Sequence, residues 1–215
     1  EVTQIDPEAK TVTVKDLKVG NEYKESYDTL VIATGSSPLK PPIPGIDGPN
    51  IFTLWTIPDT DMIKAFVQAR KPKRAAVIGG GFIGLEMAEN LHEAGATVTV
   101  VEMLNQVMAP LDFEMAQLIH ENMDMNGVEL ILGDGVESFE NTGGATLIKL
   151  KSGRTLETDL VILSIGVKPN SILAKNAGLE LNEKGGIKVD ANLRTSNSDI
   201  FAVGDAIQVE NFVLT

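Results

Sequence analysis

Between residues 74 and 102 the apolar positions change their spacing in a definite order. Ala75-Ala76-Val77-Ile78 is an unbroken apolar run, the pattern of a strand buried on both faces. Leu85 to Ala94 read as a helix that Gly95 ends, and a second apolar strand, Thr97 to Val101, stops on Glu102. The segment joining the first strand to the helix is Gly79-Gly80-Gly81-Phe82-Ile83-Gly84. Strand, turn, helix and strand make a β-α-β unit with a Gly-x-Gly-x-x-Gly turn and an acid at the tip of the second strand.

Further elements follow on the same grounds. A helix is expected near Asp59 to Arg70, with Asp59 capping its N-terminus after Pro58, and another from Asp112 to Asn126, stopped by Gly127. Short antiparallel strands are expected at Val12 to Val14, Tyr23 to Tyr27, Thr146 to Leu150 and Thr155 to Thr158. Val128 to Leu132 and Leu160 to Ile165 read as strands, and Ser171 to Ala177 as a short helix ended by Gly178. Ile187 to Val189 and Ile200 to Val203 complete the set of strands.

One pattern occurs twice. Asp28, an apolar strand, Gly35 and Pro38 recur as Asp159, an apolar strand, Gly166 and Pro169, 131 positions later. Self-similarity at a fixed offset points to two related domains. Only the second copy has its own glycine turn; that of the first would precede residue 1, so the chain is expected to be a piece of a longer protein. The expected organisation has residues 1–50 as the first segment of a partial domain, ending in Pro38, Pro41, Pro42, Pro44 and Pro49. Residues 51–167 form a complete domain and residues 168–215 return to the partial one. The fold class is α/β: a Rossmann-like domain with a central parallel sheet and a small antiparallel insertion, set inside a partial domain of the same type.

Each part of the turn has a physical role. Gly79 permits the tight bend, Gly81 lets backbone approach a pyrophosphate, and Gly84 lets helix and strand pack closely. The helix N-terminus offers free N–H groups and the positive end of its dipole to phosphates. Glu102 is placed to accept hydrogen bonds from the hydroxyls of an adenosine ribose. The expected ligand is a dinucleotide.

Charge refines that expectation. No Lys or Arg occurs between Arg74 and Lys149, and Glu102 would repel a 2′-phosphate, so NADH is expected to be preferred over NADPH. A net charge of −12 disfavours binding to nucleic acid or to anionic membranes. No apolar run reaches the roughly 18 residues of a membrane span, and a cytoplasmic protein is expected. Without cysteine there is no disulfide scaffold and no thiol chemistry on this chain. His92 and His120, on amphipathic helices, read as surface or structural residues, so no catalytic residue and no metal site is expected here.

Three motifs together resemble the pyridine nucleotide-disulfide oxidoreductases, flavoproteins whose FAD domain is interrupted by an NAD domain. They are Ala33-Thr34-Gly35 at a strand end, the glycine turn with its trailing Glu86, and Thr195 through Ile200-Phe201-Ala202-Val203-Gly204-Asp205. Within the family the chain is most similar to the NADH oxidase, NADH peroxidase and coenzyme A-disulfide reductase branch. Met108-Ala109-Pro110-Leu111-Asp112, Gly133-Asp134-Gly135-Val136 and Ile165-Gly166-Val167-Lys168-Pro169-Asn170 carry that likeness.

The resemblance implies that Gly79, Gly81 and Gly84 wrap the NADH pyrophosphate, and that Phe82 is an aromatic gate over the nicotinamide. Ile83 and Gly166 would line the nicotinamide side, Glu86 would orient it, and Val136 would lie beside the adenine. Ala33, Thr34 and Gly35 would pass close to FAD, with Asp205 holding its ribityl chain. Leu54-Trp55-Thr56 departs from the family, which often carries an arginine there. The implied reaction passes hydride from NADH to FAD and on to a disulfide, persulfide, peroxide or oxygen. A homodimer, formed through a C-terminal domain absent from this sequence, is implied as well. A flavin-dependent ferredoxin or rubredoxin reductase and a non-catalytic NADH-sensing module remain open alternatives.

Overall fold

In a computed structural model of the chain, residues 1–208 are described. The chain opens with strands β1 (Val2–Asp6), β2 (Thr11–Lys15) and β3 (Glu22–Ser26), then β4 (Leu30–Ile32), β5 (Ser36–Pro38) and β6 (Ile51–Thr53). Helix α1 (Ile57–Arg70) leads to β7 (Arg74–Ile78), α2 (Phe82–Glu93), β8 (Thr97–Val101), α3 (Phe113–Met125) and β9 (Glu129–Ile131). Then come β10 (Val136–Asn141), β11 (Thr146–Leu150), β12 (Thr155–Thr158) and β13 (Leu160–Leu163). The last elements are β14 (Val167–Pro169), α4 (Ile172–Asn176), β15 (Ile200–Ala202) and a 3₁₀ turn at Gly204–Ala206.

The chain divides into two units, Glu1–Ser37 with the segment from Val167 onward, and Pro38–Gly166. The second unit is built on a five-stranded parallel sheet in the order β6-β13-β7-β8-β9. Its middle strands carry unbroken apolar runs because neither face meets water. Ala75 and Val77 point to one face, where they pack with Ile63 of α1, Ala88 and Leu91 of α2 and Met123 of α3. Ala76 and Ile78 point to the other, onto Phe139, Ile148 and Leu150 of the antiparallel meander β10-β11-β12. The small insertion therefore does on one face what helices do on the other.

Proline-rich residues 38–49 belong with this second unit, so the division falls at Ser37/Pro38 instead of after Asn50. Ile43 and Ile46 pack into the meander-side core, and Pro44 O accepts a hydrogen bond from Phe139 N at 2.8 Å. Strand β6 has no counterpart among the expected elements; its residues pair with β13 at the sheet edge.

In the first unit, β1-β2-β3 form an antiparallel meander and β15 pairs in parallel with β4. Ile5, Ile32, Ile187 and Ile200 share its core with Ala174 of α4. Residues 187–189 make isolated bridges only, Ile187 with Leu181 and with Ile207, and not the expected strand. β14 pairs with β5, so the two proline-bearing repeats meet as a ribbon.

Helix α1 starts two residues before the expected Asp59. Thr56 is its N-cap and Asp59 is the third residue of a capping box. Burial acts to raise the Asp59 carboxyl, but hydrogen bonds from the Thr56 hydroxyl and the Thr56 and Trp55 amides outweigh it and hold it low. Among the described residues no helix is long and apolar enough to cross a membrane, and no cluster of His, Asp or Glu has metal-binding geometry.

Candidate dinucleotide site

The glycine turn sits at the C-terminal edge of the parallel sheet, where α/β folds place their ligands. Gly79 leaves β7 with φ +106°, a conformation that L side chains rarely adopt, and a Cβ there would collide with the Ser164 carbonyl. At Gly84 a Cβ would run into the Gly79 carbonyl oxygen and lie 2.7 Å from Ser164 Oγ. Ser164 Oγ donates to the carbonyls of Ile78 and Gly79, both at 3.0 Å, and so fixes the turn to β13. Gly81 is different: a Cβ built on it meets nothing within 4 Å. The protein leaves open the space in front of that one glycine.

Helix α2 begins at Phe82, three residues earlier than the sequence pattern suggests, because the second half of the motif is itself helical. Gly81 is its N-cap and supplies no side-chain cap. The first intrahelical bond runs from Leu85 N to Gly81 O at 3.0 Å, so the N–H groups of the first turn lack helical partners and concentrate positive partial charge there. Donors, open space and dipole coincide.

Glu102 leaves β8 beside the turn. Its Oε2 accepts from Gly80 N at 2.6 Å and its Oε1 from Leu104 N at 2.8 Å. On the far side of the turn, Gly80 O accepts from Met108 N at 2.8 Å, and Val107, fully buried, packs against Gly80. Val107 N in turn donates to His120 Nε2 at 3.2 Å, and His120 Nδ1 lies 3.1 Å from Gln117 Nε2. The His120 ring on α3 thus braces the loop that supports the glycine turn.

A cavity of about 790 Å³ opens in front of the turn. Of the residues expected at the site, Gly79, Gly81, Phe82, Glu102, Val136 and Gly166 line it. Phe82 is 70% exposed, so this aromatic is not a core residue. Gly84 is buried beneath the turn. Ile83 and Glu86 lie outside the cavity lining; Glu86 is exposed and borders a smaller groove with His92 and Ile119. Gly166 O accepts from Leu39 N at 2.9 Å, and Pro41, Pro42 and Pro44 form part of the wall.

Two lining residues escape a reading of the sequence because distant segments carry them. Asp134 accepts from the Ser152 hydroxyl at 2.5 Å and from the Ser152 and Gly135 amides. These bonds hold its carboxyl below the usual carboxylate range. Lys151, just after β11, lays its side chain over Gly135, with Nζ 3.7 Å from where a Cβ would stand, and lines the cavity. The stretch between Arg74 and Lys149 supplies no cation of its own, and Lys151 comes to the sheet edge from beyond it, on the antiparallel insertion.

The remaining expected residues lie in the first unit. Asp205, in the 3₁₀ turn after β15, accepts from Ser36 Oγ at 2.9 Å. Thr34 Oγ1 donates to Asn170 O at 2.6 Å, Asn170 N to Gly35 O at 2.9 Å, and Asn170 Nδ2 to Thr34 O at 3.0 Å. Ala33 and Thr34 are exposed at the end of β4. Strand ends 30–36 and 200–205, far apart in sequence, thereby share one polar edge.

A family model described as pyridine nucleotide-disulphide oxidoreductase matches residues 1–213. An NADH oxidase of Methanocaldococcus jannaschii is 37% identical over 99% of this chain and 48% of its own length. The crystal structure of reduced CoADR-RHD from Bacillus anthracis superposes with a TM-score of 0.94 at 50% identity, over all of this chain and 38% of that one. A water-forming NADH oxidase from Lactobacillus brevis, solved with NADH bound, gives a TM-score of 0.87 at 39% identity, over 96% of this chain and 45% of that one. The chain spans about half the length of the curated relatives it matches.

Proposed function

Because the chain belongs to the pyridine nucleotide-disulphide oxidoreductase family, we propose that Pro38–Gly166 is the NADH-binding domain of an FAD-dependent oxidoreductase. The observation that carries this reading is the open space at Gly81, faced by unpartnered helix N–H groups at the mouth of a cavity large enough for a dinucleotide. The pyrophosphate lies against Gly81, Phe82 and Ile83, the adenosine ribose against Glu102, and the adenine toward Val136. Phe82 and Gly166 face the nicotinamide end, where an exposed aromatic serves as a gate.

The residues of the first unit, 1–37 and from 167 onward, fit part of a flavin site. Ala33, Thr34 and Gly35 offer backbone and a hydroxyl, and Asp205 offers a carboxylate suited to a polyol chain. Bound there, FAD would supply the acceptance of hydride and its onward transfer. The chain's own residues bind, orient and exclude water. No described side chain is required as a nucleophile, since neither histidine lines the cavity. The terminal acceptor of the longer protein is a small redox substrate: a disulfide, persulfide, peroxide or oxygen. It works in the cytoplasm as a homodimer joined by a further domain.

Calorimetric titration of the chain with NADH tests the reading. Saturable one-to-one binding supports it; absence of heat and of nucleotide fluorescence change at millimolar NADH would overturn it.

A further inference from the structure

Lys151 is a cation in a wall that otherwise carries the carboxylates of Glu102, Asp134 and Glu137. It is exposed and makes no ion pair among the described residues, although the protein is strongly acidic. Asp134 is already engaged by Ser152 and Gly135. Among the described residues, no hydrogen bond or ion pair uses the Lys151 charge.

Its position relative to Glu102 follows from a short chain of backbone bonds. Asp134 N donates to Glu102 O at 3.2 Å, and Lys151 N donates to Gly135 O at 2.8 Å. Two ladder steps of about 4.8 Å therefore separate the Glu102 and Lys151 backbones. The four-carbon stem of lysine spans more than one such step. Glu102 and Lys151 therefore line the same cavity from neighbouring segments.

We propose that Lys151 determines how strongly this site discriminates between the two nicotinamide dinucleotides. It contacts a 2′-phosphate and offsets part of the repulsion from Glu102, so that the preference for NADH is narrowed without being abolished. The inference rests on the dinucleotide reading of the cavity and adds to it a residue that selects the ligand. A compact ammonium on an exposed, flexible stem can do this, because it folds back over Gly135 without the phosphate and extends toward it when present.

The test is parallel titration of the chain and its Lys151→Met and Lys151→Arg variants with NADH and NADPH, at low and high salt. Lys151→Met is expected to weaken NADPH binding about tenfold, in line with loss of a charge-assisted phosphate contact. NADH binding weakens less, so the ratio of the two dissociation constants widens by about threefold or more. Lys151→Arg keeps the ratio near that of the parent chain, and added salt narrows the difference between parent and Lys151→Met. Equal loss for both nucleotides would assign Lys151 to the pyrophosphate or to packing, and unchanged affinities would assign it no role; either overturns the proposal. Failure of the parent chain to bind NADH at all would instead remove the dinucleotide site itself.

Discussion

The carboxylate of Glu102 accepts a hydrogen bond from Gly80 N–H at 2.6 Å, so the acid at the end of β8 braces the turn at the end of β7. A substitution there changes two things at once: the charge near the ribose and the support of the turn. Glu102→Arg is therefore expected to relax discrimination against NADPH and also to weaken NADH. Met103→Arg separates the effects, because Met103 is 64% exposed, lines the cavity and leaves both Glu102 bonds in place. It should shift relative affinity toward NADPH about tenfold, as expected for one added phosphate contact. Equilibrium titration of both variants with both nucleotides reads the difference.

Gly81 and Gly84 differ in what stands before them, and their variants should fail differently. Gly81→Val places its side chain in empty space. It should unfold at the same denaturant concentration as the parent while losing at least about tenfold in NADH affinity. Gly84→Ala drives a methyl into the Gly79 carbonyl and Ser164 Oγ, and should cost about 1–3 kcal/mol of stability as an overpacked site. Urea unfolding and titration of each variant separate the two outcomes.

His120 acts on the site through two backbone links, Val107 N–H to its Nε2 and Met108 N–H to Gly80 O. His120→Phe leaves a buried amide unpaired and should cost about 1–3 kcal/mol, with weaker NADH binding. His120→Gln retains an acceptor and should recover most of both. Equal defects in the two variants would mean that ring packing, and not the hydrogen bond, supports the loop.

Asp159 ties the start of β7 to the loop before β13. Its carboxylate accepts from Arg74 Nη2 at 2.8 Å and from the Lys73 and Arg74 amides at 3.0 Å. The Arg74 side chain is the main cause holding this carboxyl below its usual value. A lowered folded-state pKa means stability that is present above the unfolded value of about 3.9 and lost as pH falls through the folded one. Asp159→Asn should be less stable than the parent at pH 7 by about 1–2 kcal/mol. That gap should narrow below about pH 4, as denaturant titrations at several pH values would show.

The local elements were legible because their determinants are local. The run 75–78 is apolar on both faces, glycines 79 and 84 each answer a steric demand, and β11 and β12 alternate clearly enough to be placed to the residue. Shorter elements were less legible: β6 is three residues long and is a strand only because β13 lies beside it, whereas 187–189 has strand composition but only isolated bridges.

Which side chains meet at the site was decided by the fold. The stretch from residue 75 to 148 holds no Lys or Arg, yet an antiparallel turn brings Lys151 beside Gly135, sixteen positions earlier in the chain. His120 read from the sequence as a surface or structural residue, and the loop it supports becomes visible only when α3 packs beside Val107. Ser36 and Asp205 are 169 positions apart and 2.9 Å from each other because β4 and β15 pair in parallel. Periodicity, steric need and turn chemistry act over a few residues and can be read along the chain. The electrostatics of a cavity depend on distances through space, which strand pairing and packing set.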